Sequence, residues 1–209
     1  MKKKKEMYST GYKFVRPFIR ILLGIIYRPI AVHKEYIPKE GPIVFAGNHK
    51  HNYDPLLVCM STRRMVHFMA KKELHQGKYG KFFEITGTIS VDRGNDTTKS
   101  KEAAMEVLNN GYALGIFPEG TRNKTDKIIL PFKYGAVSFA KKANATIVPF
   151  AITGDYKFNN DNLVIEFGKP FKPGEDLEET NKKLEDVVVK LLKKNTGKKK
   201  KDFRKNKKS

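Results

Sequence analysis

His49 and Asp54 stand five positions apart, just after the apolar run Ile43-Val44-Phe45-Ala46 and Gly47. A run of that kind bounded by Gly41-Pro42 and Gly47 predicts a buried strand, and Asp54-Pro55 opens the next helix with proline in its first turn. The histidine therefore falls in a strand-to-helix turn, at the carboxyl rim where open α/β sheets bind ligands. A carboxylate on one ring nitrogen fixes the tautomer and stabilises the imidazolium formed when the other nitrogen takes a proton. The bland alternative is a turn histidine with Asp54 as a helix cap. Three further apolar runs argue for chemistry. Val66 to Ala70 releases Lys71, Gly87 to Val91 releases Asp92 and Arg93, and Ala113 to Phe117 releases Pro118-Glu119-Gly120-Thr121-Arg122. In a parallel sheet these exits share one rim, so a base would sit among cations, which suits a phosphate-bearing substrate.

Four blocks of the chain resemble the glycerophosphate and lysophosphatidic acid (1-acylglycerol-3-phosphate) acyltransferases. Asn48, His49 and Asp54 match the first signature, Gly87 to Arg93 resembles the second, Phe117 to Arg122 reproduces Phe-Pro-Glu-Gly-Thr-Arg unbroken, and Ile147-Val148-Pro149-Phe150 resembles the fourth. The blocks occur in the family's order between residues 48 and 150. Lys50-His51 stands where relatives often carry Gln-Ser, and Ser90 where the second block often has a bulky apolar residue, so the motifs specify the chemistry better than the acceptor.

The resemblance implies acyl transfer from a thioester, acyl-CoA or acyl-carrier protein, to the free hydroxyl of lysophosphatidic acid, giving phosphatidic acid. Another glycerophosphate or lysophospholipid is the alternative acceptor. His49 is the expected general base and Asp54 its orienter, in the manner of a serine hydrolase triad whose serine is replaced by the substrate's hydroxyl. No Gly-x-Ser-x-Gly elbow is present and Cys59 lies in a predicted helix, so transfer is expected to be direct, without an acyl-enzyme. Arg93, Arg122 and Lys71 are the expected phosphate ligands, with Gly120 and Thr121 completing the substrate site through backbone donors. Glu119 is expected to pair with an arginine of the site or to bind an acceptor hydroxyl. Lys133 is read as starting a helix, where the dipole disfavours a cation; a phosphate ligand would explain it, as would plain exposure to solvent. His33, His67 and His75 are read as structural. A zinc site from His49, His51 and Asp54 lacks further ligands, so neither metal nor cofactor is expected.

The elements that must position these residues are short. With 209 residues the chain holds one α/β domain, a mostly parallel central sheet flanked by helices. Helices are predicted over 55–62, 72–84, 96–110, 133–143 and 177–192, and further strands over 146–152 and 163–167. The net charge of +20 is concentrated at the ends: +7 over residues 1–28 and +9 over 193–209. Residues 1–32 read as a basic, aromatic membrane-interface helical segment, 33–192 as the acyltransferase domain, and 193–209 as a Lys-rich disordered tail. The longest charge-free stretch near the N-terminus, Ile21 to Tyr27, is far short of the roughly 20 residues needed to span a bilayer. A lone cysteine permits no internal disulfide. An anionic membrane surface is the expected partner, with the protein peripheral or monotopic on the cytoplasmic face of the cell membrane. The rival reading of a pI near 9.9 is a nucleic-acid binder, but the charge lies in the ends rather than on a recognisable module, so no specific nucleic acid is expected.

Overall fold

The computed structural model describes residues 2–92 and 97–205, with the backbone alone for 2–10, 200, 204 and 205. The chain begins with helix α1 (Lys2–Tyr27), which ends where Arg28 takes a left-handed conformation, φ 46°, ahead of Pro29. Strand β1 (Ile30–Val32) and a 3₁₀ turn (Lys34–Tyr36) follow. Next come β2 (Ile43–Gly47), α2 (Asp54–Ser61), β3 (Val66–Lys71), α3 (Lys72–Gln76), α4 (Gly80–Ile85), β4 (Ile89–Val91), α5 (Thr98–Asn109) and β5 (Ala113–Ile116). The remainder is α6 (Gly135–Lys142), β6 (Thr146–Thr153), β7 (Val164–Phe167), α7 (Leu177–Asn195) and α8 (Lys200–Lys205).

The seven strands form one sheet in the order β1-β7-β6-β2-β5-β3-β4, parallel at every junction except the antiparallel β6 and β7. The exits of β2, β3, β4, β5 and β6 therefore share one rim, as helical crossovers between parallel strands require. Alternate residues of each strand face opposite layers. Val44, Ala46, Leu114, Ile147 and Ala151 pack beneath α5, α6 and α7, against Leu108, Ala136, Val137, Leu184 and Val188. Ile43, Phe45, Val148, Phe150 and Ile152 pack against Leu57 and Val58 of α2. Each large apolar side chain so buried contributes about 1.5–3 kcal/mol. Gly47 allows β2 and β6 to close up, because a Cβ there would lie 2.2 Å from the Phe150 carbonyl oxygen.

Helix α1 lies on the α2 side. Tyr12 and Leu23 are buried, the Tyr12 hydroxyl donates to the Arg64 carbonyl at 3.2 Å, and Arg16 Nε donates to the Cys59 carbonyl at 3.2 Å. No helix among the described residues is long and apolar enough to cross a membrane.

Several expected boundaries move. The N-terminal segment does not extend to residue 32, because Ile30–Val32 is an edge strand paired with β7. The helix expected over 72–84 is two, α3 and α4: the chain folds back so tightly that a Cβ on Gly80 would meet the His75 carbonyl oxygen at 2.1 Å. Position 96, the expected start of α5, lies outside the described residues. The tail read as disordered from 193 is helical through Asn195, because Lys194 Nζ at 2.6 Å and Asn195 Nδ2 at 2.7 Å both donate to Glu166, a carboxylate buried in β7. A further short helix covers Lys200–Lys205, and 206–209 lie outside the described residues.

Candidate active site

His49 leaves the end of β2 in a turn folded around the carboxylate of Asp54, the first residue of α2. Asp54 is fully buried and accepts four hydrogen bonds. Oδ2 takes those from His49 Nδ1 at 2.8 Å and from the backbone N–H groups of Lys50 and His51, both at 2.7 Å; Oδ1 takes one from the Tyr156 hydroxyl at 2.7 Å. With every neighbour a donor, the carboxylate fixes the proton of His49 on Nδ1 and leaves Nε2 as the basic nitrogen. The His49 ring stacks on Phe117, centroids 4.0 Å apart and planes 15° from parallel, so it cannot swing away without losing that contact.

Glu119 holds the same residue from behind. Its Oε1 accepts from His49 N–H at 2.7 Å and its Oε2 from Leu130 N–H at 2.8 Å, and it is buried. Burial pushes its pKa up, opposed by these two amide bonds. Glu119 thus spans two backbone donors, tying the His49 turn to the loop before α6. Asn48 adds a second brace. Its side chain accepts from Ile152 N–H at 2.7 Å and donates to the Ile152 carbonyl at 3.0 Å, pinning the exit of β2 to β6.

The cations divide. Arg122 is half-buried, and its charge helps burial to hold His51 below its ordinary pKa. Gly120, at φ 72°, lets the turn pass beneath Lys133: a Cβ there would lie 3.0 Å from Lys133 Nζ. Lys133 does not start a helix. It stands two residues before α6, with its N–H donating to the Pro118 carbonyl at 2.9 Å, so it is tied to the turn that carries Gly120. Thr121 is exposed on that turn, and Lys71 is exposed at the end of β3 with β5 between it and β2. Arg93 lies outside the described residues.

Sequence reasoning missed Tyr156. It follows the fifth strand to exit on this rim, β6, and its ring stacks on His51 with centroids 4.4 Å apart. Burial and the neighbouring Asp54 raise its pKa, so it stays a hydrogen-bond donor. The apolar run 146–152 was a signal for it, since whatever follows such a strand reaches the same rim. Burial pushes the Cys59 thiol up to about 11, which disfavours the thiolate, and its Sγ lies 3.9 Å from the Val66 carbonyl. A cleft of about 380 Å³ opens beside His49, between the 123–128 loop and the end of α7.

A histidine–aspartate pair at the carboxyl rim of a mostly parallel sheet, braced from two neighbouring strands and flanked by lysine and arginine, defines an α/β enzyme site built for general-base chemistry. The chain belongs to the acyltransferase family, whose model, described as "Acyltransferase", matches residues 29–153. It is 33% identical over 165 residues to the 1-acyl-sn-glycerol-3-phosphate acyltransferase of Bacillus subtilis (strain 168), covering 76% of this chain and 81% of that protein. It is 31% identical over 144 residues to 1-acyl-sn-glycerol-3-phosphate acyltransferase alpha of Homo sapiens, covering 67% of this chain and 50% of that protein. The crystal structure of the 1-acyl-sn-glycerophosphate (LPA) acyltransferase of Thermotoga maritima shares the fold, with a TM-score of 0.75 at 23% identity over 94% of this chain and 83% of that one.

Proposed function

We propose that this enzyme moves a fatty acyl group from a thioester donor, acyl-CoA or acyl-carrier protein, to the free hydroxyl of lysophosphatidic acid, giving phosphatidic acid for phospholipid synthesis. The observation that carries the mechanism is the 2.8 Å bond from His49 Nδ1 to the buried Asp54 carboxylate. The acceptor hydroxyl gives its proton to His49 Nε2 as its oxygen attacks the thioester carbonyl. Asp54 stabilises the resulting imidazolium, which returns the proton to the departing thiolate. Both substrates are bound together, since no nucleophile holds the acyl group between steps. Arg122, Lys133 and the Gly120 turn grip the acceptor's phosphate, with Arg93 and Lys71 as further cations.

The acceptor is a lipid, and α1 supports its delivery from a membrane. Phe14, Phe18, Ile21 and Ile25 recur at helical spacing and are 63–76% exposed, a continuous apolar ridge on the side away from α2. Tyr27, at the end of α1, packs edge-on against Tyr156, centroids 5.5 Å apart, so the ridge leads to the residue that holds Asp54. The enzyme thus works as a peripheral protein on the cytoplasmic leaflet. Incubating it with lysophosphatidic acid and each donor, with products read by mass, tests the reading. Phosphatidic acid is the expected product; acylation only of a different glycerophosphate or lysophospholipid would reassign the acceptor.

A further inference from the structure

We infer that Tyr156 is a positioning residue of the acyl transfer, keeping the Asp54 carboxylate charged opposite His49, and that helix α1 holds Tyr156 in place; the inference rests on the general-base reading above. The two oxygens of Asp54 are supplied differently. Oδ2 receives three donors from the turn 49–51, whereas Oδ1 receives, among the described residues, only the Tyr156 hydroxyl at 2.7 Å, from the loop that follows β6. Asp54 is fully buried, and a buried carboxylate that loses a donor favours its protonated form. A protonated Asp54 would donate to His49 Nδ1 in place of accepting from it. The ring's own proton would then sit on Nε2, the nitrogen that must be free to take the acceptor's proton, and no anion would stabilise the imidazolium.

The surroundings leave this task to Tyr156. Lys50 turns its ammonium to the Gly154 carbonyl, Glu119 is committed to the His49 and Leu130 amides, and the charge of Arg122 acts on His51. Three rings hold the Tyr156 ring: His51 stacks on it at 4.4 Å, Tyr27 meets it edge-on at 5.5 Å, and Tyr53 stands 6.1 Å away at 70°. Tyr27 is the last residue of α1, and a second bond ties the same loop to that helix, Asn159 N–H donating to the Ile26 carbonyl at 2.8 Å. Carbonyls in the last turn of a helix have no partner within it, so the loop that carries Tyr156 also caps α1. The loop is therefore fixed to α1 at both Tyr156 and Asn159. Besides presenting a ridge to lipid, α1 sets the position of a donor to the catalytic carboxylate.

Tyr156→Phe removes the hydroxyl and keeps the ring, so the stacking on His51 and the contact with Tyr27 stay. With a water-soluble short-chain lysophosphatidic acid as acceptor, kcat should fall at least about fivefold while both KM values stay within about twofold. The acid limb of kcat against pH should move up by about one unit, because ionised Asp54 has lost a donor. Tyr27→Ala, which opens space beside Tyr156, should move kcat and the limb the same way with this soluble acceptor, and Tyr27→Phe, which keeps the ring, should restore both. In the resting enzyme the Asp54 carboxyl carbon, followed by NMR and assigned with Asp54→Asn, should titrate at higher pH in Tyr156→Phe than in the wild type. An acid limb and a carboxyl titration both unmoved in Tyr156→Phe would overturn the role of Tyr156, even if the variant melts earlier. A Tyr27→Ala loss seen only with vesicle-bound acceptor would reduce α1 to an anchor and overturn its part. The carboxyl titration needs no turnover, so a shift there in an enzyme that forms no phosphatidic acid defeats the acceptor reading alone.

Discussion

Asp54 draws three of its four hydrogen bonds from the segment 49–51, and that locality is why the pair was legible in the sequence. A carboxylate five residues from a histidine, across a turn that opens a helix, has few places to go. The fourth donor, Tyr156, comes from 102 residues away and is set by sheet order, which no spacing reveals. Glu119 was legible as part of an intact block but not as a brace, because its partners are backbone amides that become neighbours only when β2 and β5 pair. Glu119→Gln retains the shape but turns an NH₂ toward one of those amides. It should lower unfolding free energy by about 1–3 kcal/mol in denaturant titrations, with kcat falling more than either KM, as His49 loses its fixed position. Arg122→Ala should raise the acceptor KM at least about tenfold, since a charge-assisted phosphate contact is worth roughly 1.5–3 kcal/mol, while the donor KM holds. A change confined to the donor would move Arg122 to the other substrate.

Among the elements, the strands β2 to β7 were readable as apolar runs and β1 was not. β1 has three half-buried residues after Pro29, too few for alternation to register, and only its pairing with β7 makes it a strand. The tail was misread for a related reason: Lys194 and Asn195 look like solvated chain until the buried Glu166, 28 and 29 residues earlier, is seen to hold them. Helix α1 was readable as amphipathic: its inner face, with Tyr12 and Leu23, is buried on the domain, and its exposed outer ridge is the face proposed to meet the membrane. Phe18→Glu with Ile25→Glu changes only the outer ridge. This double variant should melt as the wild type does but should lose most binding to anionic vesicles in a sedimentation assay, because each charge opposes burial of that face in the headgroup region. Undiminished binding would assign the membrane contact to the basic ends alone.

At the scale of the molecule, the sheet converts separate motifs into one site: five parallel exits on one rim bring together residues spread from Asn48 to Tyr156. The same sheet buries His67 of β3 against the turn before β4, where its Nδ1 donates to the Gly87 carbonyl at 2.7 Å and its Nε2 has no partner among the described residues. Burial lowers its pKa from the ordinary 6.5, opposed by that bond, and His51 and His75 shift in the same direction. The unfolded chain then binds protons that the folded one refuses, so stability falls as pH drops below 6.5 and is fully present above it. His67→Gln should narrow the gap in melting temperature between about pH 5 and about pH 7; an unchanged gap would place the acid sensitivity at His51 and His75. The central claim is that His49, held by Asp54, is the base of an acyl transfer to lysophosphatidic acid. The most direct measurement compares phosphatidic acid formation by the wild type and by His49→Ala, both shown to be folded, with a thioester donor at saturation. The account predicts product from the wild type and a loss of at least about 10²- to 10⁴-fold in kcat for the variant. Near-normal turnover by folded His49→Ala would contradict it.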